Sequence, residues 1–597
     1  MNLATCPNLV KLFFDRAEAE GERPFLWSKA DGTFRPQTWR EVALHISELA
    51  CGLQALGLKP GDRVVLVSEN RPKWLIADLA IMAAGGVTVP AYTTNTVEDH
   101  RHIVNNSGAV GMIVSTSKLA ERALPAAHTA DDLRFAITME PVPLQQSLNV
   151  EVLDWTAARN RGQHEHANIV ERAESIKRTD MACIIYTSGT GGVPKGVMTS
   201  HGSILHNLAG ASAVLNDLDL GQGGDVFLSF LPLSHAYEHT AGQFFPIALG
   251  AQIYYAEGAD KLLSNMAEAQ PPVIMAVPRP YEMMHSRLVR GGEKQGGTAE
   301  KLFRKTVTLG SKAFLAPDTM TLMDKIRNAV LSKLVRKKVA QRFGGRLKAF
   351  VSGGAPLNPD IGLFFTALGV RILQGYGQTE SGPVVCVNVP ANVKMHAVGP
   401  IFPDTEVKIA GDGEILIRGE LVMAGYWRDE KSTQDTLRDG WLHTGDIGLI
   451  DADGHLQITD RKKDIIVNSG GDNVAPQRIE GMMTLEPEIA QAMVYGDKRP
   501  HIAALLVPDA EWLQGWAVEN GKPIDMAQLR DDADLHKALM VAVDRVNGRL
   551  SNIETVRKFI VADEPFSIDN AQMTPTLKVR RHKLIEVYGE RLAALYG

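Results

Sequence analysis

Residues 186–196 read YTSGTGGVPKG and directly follow the short apolar run MACII at residues 181–185. Glycines in such a loop adopt backbone angles closed to other residues and bring amide N–H groups close to an anion. Hydroxyl groups add donors, and one lysine supplies a positive charge for phosphate oxygens. The loop is therefore predicted to cradle a polyphosphate through Thr187, Ser188, Gly189, Thr190, Gly191, Gly192 and Lys195.

Two common phosphate motifs do not match this loop. A Walker loop needs glycine before its lysine and Ser or Thr after it, whereas Pro194 and Gly196 flank Lys195 here. The dinucleotide fingerprint GxGxxG, started at Gly189, ends on Pro194 instead of glycine. For the loop taken alone, an ordinary flexible surface loop remains an alternative.

Four further motifs follow in a fixed order. They are QGYGQTE at 374–380, WLHTGD at 441–446, DRKKD at 460–464 and PTLKVRR at 575–581. Together with the glycine-rich loop they resemble the signatures of the adenylate-forming enzymes, which include acyl-CoA synthetases, adenylation domains of peptide synthetases and firefly luciferase. The chain is identified as a member of that superfamily over almost its whole length. The resemblance implies Mg²⁺ as cofactor, with ATP and CoA as co-substrates.

Composition agrees with a multidomain enzyme. A chain of 597 residues with 45% hydrophobic content can fill two or more cores. A net charge of −6 without long charge blocks gives no indication of nucleic acid as the main partner, and none is predicted. Four widely spaced cysteines predict reduced thiols in a cytosolic protein. The N-terminus lacks the apolar core of a secretory signal. Residues 74–92 are interrupted by Asp78, two glycines and Pro90, which predicts a buried helix and strand rather than a membrane span.

The order of elements predicts an α/β fold. Short β-branched runs alternate with helical patterns in the first two thirds, which is typical of layered α/β sheets. The run TEVKIAGDGEILIRG at 405–419 alternates with period two on either side of a turn and predicts a β-hairpin. We predict a large N-terminal domain at 1–461, with a β-rich subdomain at about 400–461. The resemblance implies a small mobile α+β C-terminal domain at 462–597, hinged at Lys463.

The motif QGYGQTE offers three kinds of nucleotide contact. Tyr376 presents a flat face to adenine beside Gly377, Thr379 a hydroxyl to the α-phosphate, and Glu380 a hard oxygen ligand to magnesium. A glutamate beside a phosphate loop needs a cation between the two negative charges. The alternative is a loop whose acidic residue is merely solvated.

The segment SGGAPL at 352–357 precedes a predicted helix. By family resemblance, Gly354, Ala355 and Pro356 line the adenine, while Gly353 and Tyr237 border the acyl pocket. Small residues also make ordinary turns between strands and helices, so this assignment rests on the resemblance.

The resemblance also assigns Asp446 and Arg461 to the ribose hydroxyls. Lys578 is predicted to reach between the carboxylate and the α-phosphate and to stabilise charge in the transition state. From spacing alone, Lys578 would instead belong to a solvated basic face. His235, in PLSHAYEH, is expected near the bound carboxylate, where it shapes the pocket and gates entry rather than carrying a proton.

The class of acid substrate is predicted from short segments that resemble one subgroup of the superfamily. VPRPYE and FVSGGAPL flank a long insertion between Arg279 and Phe350, and both segments resemble those of bacterial long-chain acyl-CoA synthetases. This favours a fatty acid over acetate or an amino acid. Aromatic acids remain open, and so do acyl chain length and oligomeric state.

One helix of the insertion has an amphipathic pattern. Met323, Ile326, Val330 and Leu334 share a face, and basic residues occupy the remaining surface. Peripheral contact with the inner face of an anionic membrane is one hypothesis. The favoured alternative is a helix whose apolar face packs on the core and whose other side is solvated.

The resemblance implies two half-reactions. The acyl carboxylate first attacks the α-phosphorus of ATP, and the C-terminal domain then rotates to present Ser469, Gly470 and Gly471 to CoA. Three other functions remain open: an acyl-adenylate ligase that loads a carrier protein, a luciferase-like oxidative enzyme, and a catalytically inactive nucleotide-binding protein.

Overall fold

The computed structural model describes residues 2–143, 150–162, 169–187, 193–221, 223–470, 472–574 and 577–597. Its strands in chain order are β1 (Pro24–Ala30), β2 (Thr33–Thr38), β3 (Arg63–Val67), β4 (Val87–Ala91), β5 (Ala109–Val114), β6 (Phe135–Thr138), β7 (Glu151–Asp154), β8 (Met181–Thr187), β9 (Lys195–Ser200), β10 (Val226–Ser229), β11 (Gln252–Tyr255), β12 (Val273–Ala276), β13 (Ala349–Ser352), β14 (Arg371–Tyr376), β15 (Cys386–Val387), β16 (Glu406–Ile409), β17 (Glu414–Arg418), β18 (Gly425–Tyr426), β19 (Leu437–Arg438), β20 (Trp441–Ile450), β21 (Leu456–Arg461), β22 (Ile466–Val467), β23 (Asn473–Val474), β24 (Ile489–Tyr495), β25 (Ile502–Pro508) and β26 (Val556–Val561).

The α-helices connect these strands and cover their faces. In chain order they are α1 (Leu9–Glu20), α2 (Trp39–Ala55), α3 (Pro72–Ala83), α4 (Val97–Ser107), α5 (Ser117–Ala123), α6 (Trp155–Asn160), α7 (Ile169–Ala173), α8 (His201–Val214), α9 (Phe245–Leu249), α10 (Leu262–Ala269), α11 (Pro278–Gln295), α12 (Gly297–Leu315), α13 (Leu322–Leu331), α14 (Lys337–Arg342), α15 (Pro359–Ala367), α16 (Glu430–Thr436), α17 (Pro476–Met483), α18 (Ala510–Glu519), α19 (Met526–Leu529), α20 (Ala533–Asn547) and α21 (Arg581–Ala593).

Two eight-stranded sheets form the large N-terminal part. Their strand orders are β15-β14-β13-β12-β10-β11-β1-β2 and β18-β9-β8-β4-β3-β5-β6-β7. Strands β4 and β5 are buried along their whole length, as parallel strands covered on both faces are. Helix α3 connects the parallel strands β3 and β4 and is buried almost throughout. The predicted layered α/β architecture is confirmed, and residues 74–92 form a buried helix followed by a strand.

A third sheet carries two candidate ligand-binding residues. The predicted hairpin is formed by β16 and β17, and β20 pairs with both β17 and β21. The antiparallel register of β20 and β21 places Asp446 directly opposite Arg461. Side chains opposite each other on neighbouring strands lie close together. The β-rich part therefore holds these two residues on paired strands rather than on loops.

The C-terminal residues form a small α+β unit. Strands β24, β25 and β26 make a three-stranded sheet, with α17 and α20 on one face and α21 on the other. Helix α20 begins at Ala533, because the side chain of Asp532 accepts hydrogen bonds from the Asp534 and Leu535 N–H groups and caps the helix.

Helices α11 to α14 form the insertion that the sequence places after Arg279. Helix α12 packs against α15, and a π-helical turn (Ser332–Arg336) joins α13 to α14. The expectation that the apolar face of α13 packs on the core is wrong. Met323, Ile326, Val330 and Leu334 are 49 to 54% exposed, whereas Leu331 at the end of α13 and Val339 on α14 are buried.

The insertion and its neighbour α15 also contact the C-terminal unit. Arg290 on α11 pairs with Asp509 at 3.0 Å and with Glu511 at 2.5 Å. On α15, Asp360 pairs with Arg549 at 2.6 Å. These contacts are polar and partly exposed, and they lie beside a deep cleft between the two parts of the chain. We call this cluster of ion pairs the polar latch.

Two further predictions concern membranes and thiols. Among the described residues, no helix combines the length and apolarity that crossing a bilayer requires. Cys6, Cys51, Cys183 and Cys386 are all buried thiols.

Candidate active site

A cleft of about 2170 Å³ separates the N-terminal sheets from the C-terminal unit. Residues after strands β13 and β14 form its floor, and residues 573–574 and 577–582 of the C-terminal unit close it from above. Ligands of α/β proteins commonly bind beyond the carboxyl ends of parallel strands. Most of the site residues predicted from the sequence line this cleft: Thr187, Lys195, His235, Tyr237, Gly353, Gly354, Ala355, Pro356, Tyr376, Gly377, Thr379, Glu380, Asp446, Arg461, Lys463 and Lys578.

The glycine-rich loop is described only at its two ends. Thr187 ends β8 and pairs in register with Lys195 at the start of β9. Ser188, Gly189, Thr190, Gly191 and Gly192 lie outside the described residues.

The ammonium of Lys195 has partners from the β-rich part of the chain. Its Nζ donates to Ser432 Oγ at 2.5 Å, lies 3.7 Å from Asp429 Oδ2, and sits 5.2 Å from the ring centroid of Tyr426. A phosphate bound here would meet a lysine already directed into the cleft. Ser432 and Asp429 belong to the N-terminal turn of α16, more than two hundred residues further along the chain, and the sequence gives no signal for them.

Tyr426 connects this lysine to the predicted metal ligand. Its hydroxyl donates to Glu380 Oε1 at 2.8 Å, while its ring lies beneath Lys195. Thr379 and Glu380 belong to one 3₁₀ turn, Thr379–Ser381, and the Met423 N–H donates to the backbone oxygen of Glu380 at 2.9 Å. The phosphate-binding and cation-binding candidates are therefore neighbours.

Glu380 fits a magnesium ion shared with phosphates. Within the part of the chain that is described, no group of three or more His, Cys, Asp or Glu side chains could hold a metal. Magnesium is usually bound through one or two carboxylates and completes its coordination with substrate phosphates and water. A single carboxylate beside Lys195 matches that donor set.

Asp446 is the most firmly held residue of the cleft. Its Oδ1 accepts from Arg461 Nε at 2.9 Å, and its Oδ2 accepts from the Tyr376 hydroxyl at 2.7 Å and from Gln378 Nε2 at 2.9 Å. The side chain is only 6% exposed. These bonds fix the carboxylate and the guanidinium side by side, with the Tyr376 ring adjacent. Gln378 lies within a recognised motif, but no role was predicted for it.

Glycines in two motifs are required by close backbone approach. A Cβ on Gly377 would lie 2.0 Å from the Pro383 carbonyl oxygen, so only glycine fits there. Gly354 has φ +79°, in the left-handed region that favours glycine. The turn formed by Gly354, Ala355 and Pro356 therefore approaches the cleft with its backbone exposed to a ligand.

An apolar branch of the cleft leaves this turn. The Tyr237 hydroxyl donates to the Val351 carbonyl at 3.2 Å, and a Cβ on Gly353 would meet the Tyr237 ring at 3.4 Å. Beyond Tyr237 lies a π-helical turn, Glu238–Phe244, a type of turn found frequently at functional sites. The branch is lined by apolar side chains from α8, this turn and nearby loops, namely Leu208, Ala211, Leu215, Ala241, Phe245 and Phe402.

His235 stands at the mouth of this branch as a neutral imidazole. Loss of hydration and the nearby Lys578 lower its pKa to about 3. Its Nδ1 accepts from the Tyr237 N–H at 3.2 Å, which places the ring hydrogen on Nε2. His235 is thus a neutral imidazole that can donate a hydrogen bond from Nε2.

Lys578 enters the cleft from the C-terminal unit. Its backbone is held by Thr574, whose Oγ1 accepts from the Lys578 N–H at 3.0 Å and whose N–H donates to the Lys578 carbonyl at 2.8 Å. Loss of hydration and the Arg461 charge lower the pKa of its ammonium to about 8, against the opposing effect of Asp446 and Glu380. Lys578 is half-buried and lines the cleft, whereas spacing alone suggested a solvated basic face.

The predicted CoA contacts are placed elsewhere. Ser469 and Gly470 lie in the exposed hairpin of β22 and β23 and do not line the cleft, and Gly471 lies outside the described residues. Lys463 stands at the edge of the cleft, between the β-rich part and this hairpin. Its role as a hinge stays a prediction.

Comparison with known proteins gives the same picture across the chain. A model of the AMP-binding enzyme family matches residues 13–427, and a model of the AMP-binding enzyme C-terminal domain matches residues 463–597. The chain is 33% identical to the long-chain-fatty-acid–CoA ligase FadD15 of Mycobacterium tuberculosis, over 99% of this chain and 97% of that protein. It is 31% identical to the peroxisomal long chain acyl-CoA synthetase 6 of Arabidopsis thaliana, over 95% and 83%.

Solved structures share the fold at lower identity. The adenylation domain of a carboxylic acid reductase from Segniliparus rugosus, in complex with AMP and a co-purified carboxylic acid, superimposes with a TM-score of 0.76 at 20% identity, over 99% of this chain and 95% of that one. The anthranilate CoA ligase AuaEII in complex with anthranoyl-AMP gives 0.74 at 19% identity, over 99% and 100%. Both likenesses concern the arrangement of sheets and helices.

Proposed function

The chain belongs to the AMP-binding enzyme family, and we propose that it is an ATP-dependent ligase that joins a long-chain fatty acid to coenzyme A. The reaction runs through an acyl-adenylate and releases pyrophosphate and AMP. The observation that carries this proposal is the single cleft in which Glu380, Asp446, Arg461 and Lys578 meet next to an apolar branch.

The nucleotide would lie along the wall of the cleft. Asp446 and Arg461 are held at the right spacing to accept from and donate to the ribose hydroxyls, and the Tyr376 ring and the turn at Gly354 offer flat or open surfaces to adenine. Lys195 and the glycine-rich loop would bind the β- and γ-phosphates. Glu380 would hold Mg²⁺, which when bound neutralises charge on the phosphate oxygens.

The acid would place its tail in the apolar branch and its carboxylate beside His235. Leu208, Ala211 and Leu215 occupy successive turns of one face of α8, so the branch follows that helix for about 10 Å at 1.5 Å per residue. That length supports a long acyl chain over acetate. His235 would donate from Nε2 to the carboxylate or to the acyl oxygen that forms from it.

Lys578 would act in the first half-reaction. A carboxylate oxygen bonds to the α-phosphorus while the bond from that phosphorus to the bridging oxygen of pyrophosphate breaks. Negative charge grows on the phosphoryl oxygens, and an ammonium directed at that position lowers the barrier. Lys578 lines the same cleft as His235 and Arg461, which supports this role.

The second half-reaction would need a different arrangement of the C-terminal unit. The CoA thiolate attacks the acyl carbon, and the bond to the AMP oxygen breaks. Ser469 and Gly470 are exposed and turned away from the cleft here, and rotation about Lys463 would bring them to it while withdrawing Lys578. The polar contacts between the two parts of the chain support such a movement, because they can separate without exposing an apolar core.

The test is a screen of carboxylic acids for CoA-dependent AMP formation, from acetate through palmitate and including cinnamate-type acids. We expect palmitate-length acids to give the highest kcat/KM. A preference for cinnamate-type acids would replace the fatty acid with an aromatic one. AMP formation that requires a carrier protein instead of CoA would change the acceptor, and ATP binding without turnover of any acid would remove the ligase function.

A ligase for such acids meets a substrate that partitions into lipid. We therefore propose that the protein works in the cytoplasm and at the surface of a membrane.

A further inference from the structure

Helix α13 exposes an apolar face that points away from the protein. We call Leu322, Met323, Ile326, Val330 and Leu334 the α13 face, and they are between 49 and 76% exposed. Single exposed apolar residues are ordinary on protein surfaces, but a contiguous set of five on one face marks a binding surface. Within the described ranges, no other element covers these side chains.

The helix is firmly anchored by its other side. Thr321 and Asp324 form a capping box at its start, and Asp324 also pairs with Lys312 of α12 at 2.8 Å. At the end of the π-helical turn, Arg336 Nε donates to the Ala367 carbonyl of α15 at 2.7 Å. Leu331 and Val339 are buried beneath the helix. The outward orientation of the α13 face is therefore fixed by specific contacts.

Positive charge surrounds the apolar residues. Residues 322–342 carry seven lysine or arginine residues and one aspartate, although the whole chain has a net charge of −6. Lys325, Arg327, Lys333, Lys337 and Lys338 are exposed, and none of them forms an ion pair with another described residue. The patch is thus a local region of positive charge on an acidic protein, and it will orient the molecule near an anionic surface.

We propose that the α13 face docks on an anionic lipid bilayer. The helix lies in the plane of the interface, its apolar side chains enter the boundary between headgroups and acyl chains, and the flanking cations contact lipid phosphates. The purpose of this contact, collecting an acid that partitions into lipid, rests on the proposed function, but the binding itself does not.

A second copy of the chain fits this surface less well. Two copies meeting through the α13 face would bring their unpaired cations together, and like charges in contact destabilise an interface. An anionic bilayer satisfies the apolar and the charged parts of the surface at once. Self-association is accordingly an outcome that would contradict the proposal.

The experiment is sedimentation of the full chain with vesicles of phosphatidylcholine alone or of phosphatidylcholine mixed with phosphatidylglycerol. We expect binding to the anionic vesicles only, weakening as salt is added. Replacing two cations by Lys333→Gln with Lys337→Gln should weaken binding about thirtyfold, from the contribution of each cation near an anionic surface. Removing apolar area by Ile326→Ser with Val330→Ser should weaken it by more than about tenfold.

Matched controls carry the same changes elsewhere. Val518 and Val541 are 70% and 55% exposed, and Val518→Ser with Val541→Ser should bind as the unmodified chain does. Lys118→Gln with Lys537→Gln, at exposed positions far along the chain, controls for total charge. Thermal unfolding and activity on a soluble short-chain acid should be unchanged in every variant.

Several outcomes would overturn the proposal: no binding of the unmodified chain, equal binding to both kinds of vesicle, full binding by the α13-face variants, or dimerisation that those variants abolish. Vesicle binding without ligase activity would remove the proposed function and leave this inference intact. Ligase activity without vesicle binding would remove this inference and leave the proposed function intact.

Discussion

The wall of the cleft and the C-terminal unit above it hold their functional groups in different ways. On the wall, Asp446 is 6% exposed and accepts from Arg461, Tyr376 and Gln378. Above it, Lys578 is fixed through its backbone, and its ammonium forms no ion pair with a described residue. In the proposed function, the groups that would bind the nucleotide are thus held by neighbouring side chains, while the group that would meet the developing charge comes from a separate unit.

The contacts between the N-terminal part and the C-terminal unit differ from the hydrogen bonds around Asp446. The polar latch consists of ion pairs at partly exposed positions, in which Arg290 contacts Asp509 and Glu511 and Asp360 contacts Arg549. Ion pairs of this kind contribute little net stability. These ion pairs therefore offer little resistance to the proposed movement of Lys578, whereas the hydrogen bonds around Asp446 hold that carboxylate in place.

The largest effect is expected from Lys578→Ala. Adenylation should slow about a hundred- to a thousandfold, the usual cost of removing one donor that stabilises transition-state charge. Thioester formation from a supplied acyl-adenylate should be nearly unchanged. Pyrophosphate release and thioester formation measured separately test this, with Lys583→Ala on α21 as control. If adenylation persisted and thioester formation failed, Lys578 would belong to the second half-reaction and not to the first.

Asp446→Ala removes the carboxylate from the wall of the cleft. It removes an acceptor of three hydrogen bonds and leaves Arg461 without its carboxylate, so ATP should bind about ten- to a hundredfold more weakly. The KM for ATP should rise more than kcat falls. Asp453→Ala, at an exposed residue 66% accessible in the same sheet region, is the control. A variant with unchanged KM and reduced kcat would contradict a role in binding.

The pH dependence of adenylation distinguishes Lys578 from the groups on the wall of the cleft. Lys578 acts in its protonated form, and its pKa is lowered to about 8, so kcat/KM for adenylation should fall as the pH rises through 8. At one unit above that pKa the loss should be about tenfold. Lys578→Arg keeps its charge, so whatever its residual rate, its profile should lack this alkaline decline. A decline that persisted in that variant would assign the titration to another group.

The smallest effect is expected at the polar latch. Arg290→Glu replaces two attractions with two repulsions at partly exposed positions, so adenylation should slow only a few-fold. Thioester formation should be unaffected or slightly faster, because the arrangement in which Lys578 lines the cleft loses these stabilising ion pairs. Arg287→Glu, an exposed residue on the same helix, is the matched control. Equal slowing by both variants would show a general charge effect.

The sequence indicates the residues that lie in recognised motifs better than it indicates the partners that those residues contact in the folded protein. Asp446, Arg461 and Lys578 could be named because each lies in a short motif with a family resemblance. Tyr426, Gln378 and Ser432 could not be assigned roles, since their contacts with Glu380, Asp446 and Lys195 depend on how distant segments fold together. No local periodicity carries that information.

The insertion shows a second limit of the sequence. Its pattern correctly placed Met323, Ile326, Val330 and Leu334 on one helix face. Whether a neighbouring element covers such a face depends on tertiary packing, and here Leu331 and Val339 take the contact instead. The alternating patterns of the hairpin and the two large sheets were more reliable, because their buried faces are fixed by strand pairing.

If Lys578 meets the phosphates as proposed, its lowered pKa couples nucleotide binding to proton uptake. Near pH 8 part of the protein population holds this amine neutral, and the phosphates of ATP favour its charged form. Each ATP bound then draws a fraction of a proton from the buffer, so the heat of binding depends on the ionisation enthalpy of that buffer. The apparent affinity for ATP is accordingly linked to proton concentration, even though no proton appears among the reactants drawn into the cleft.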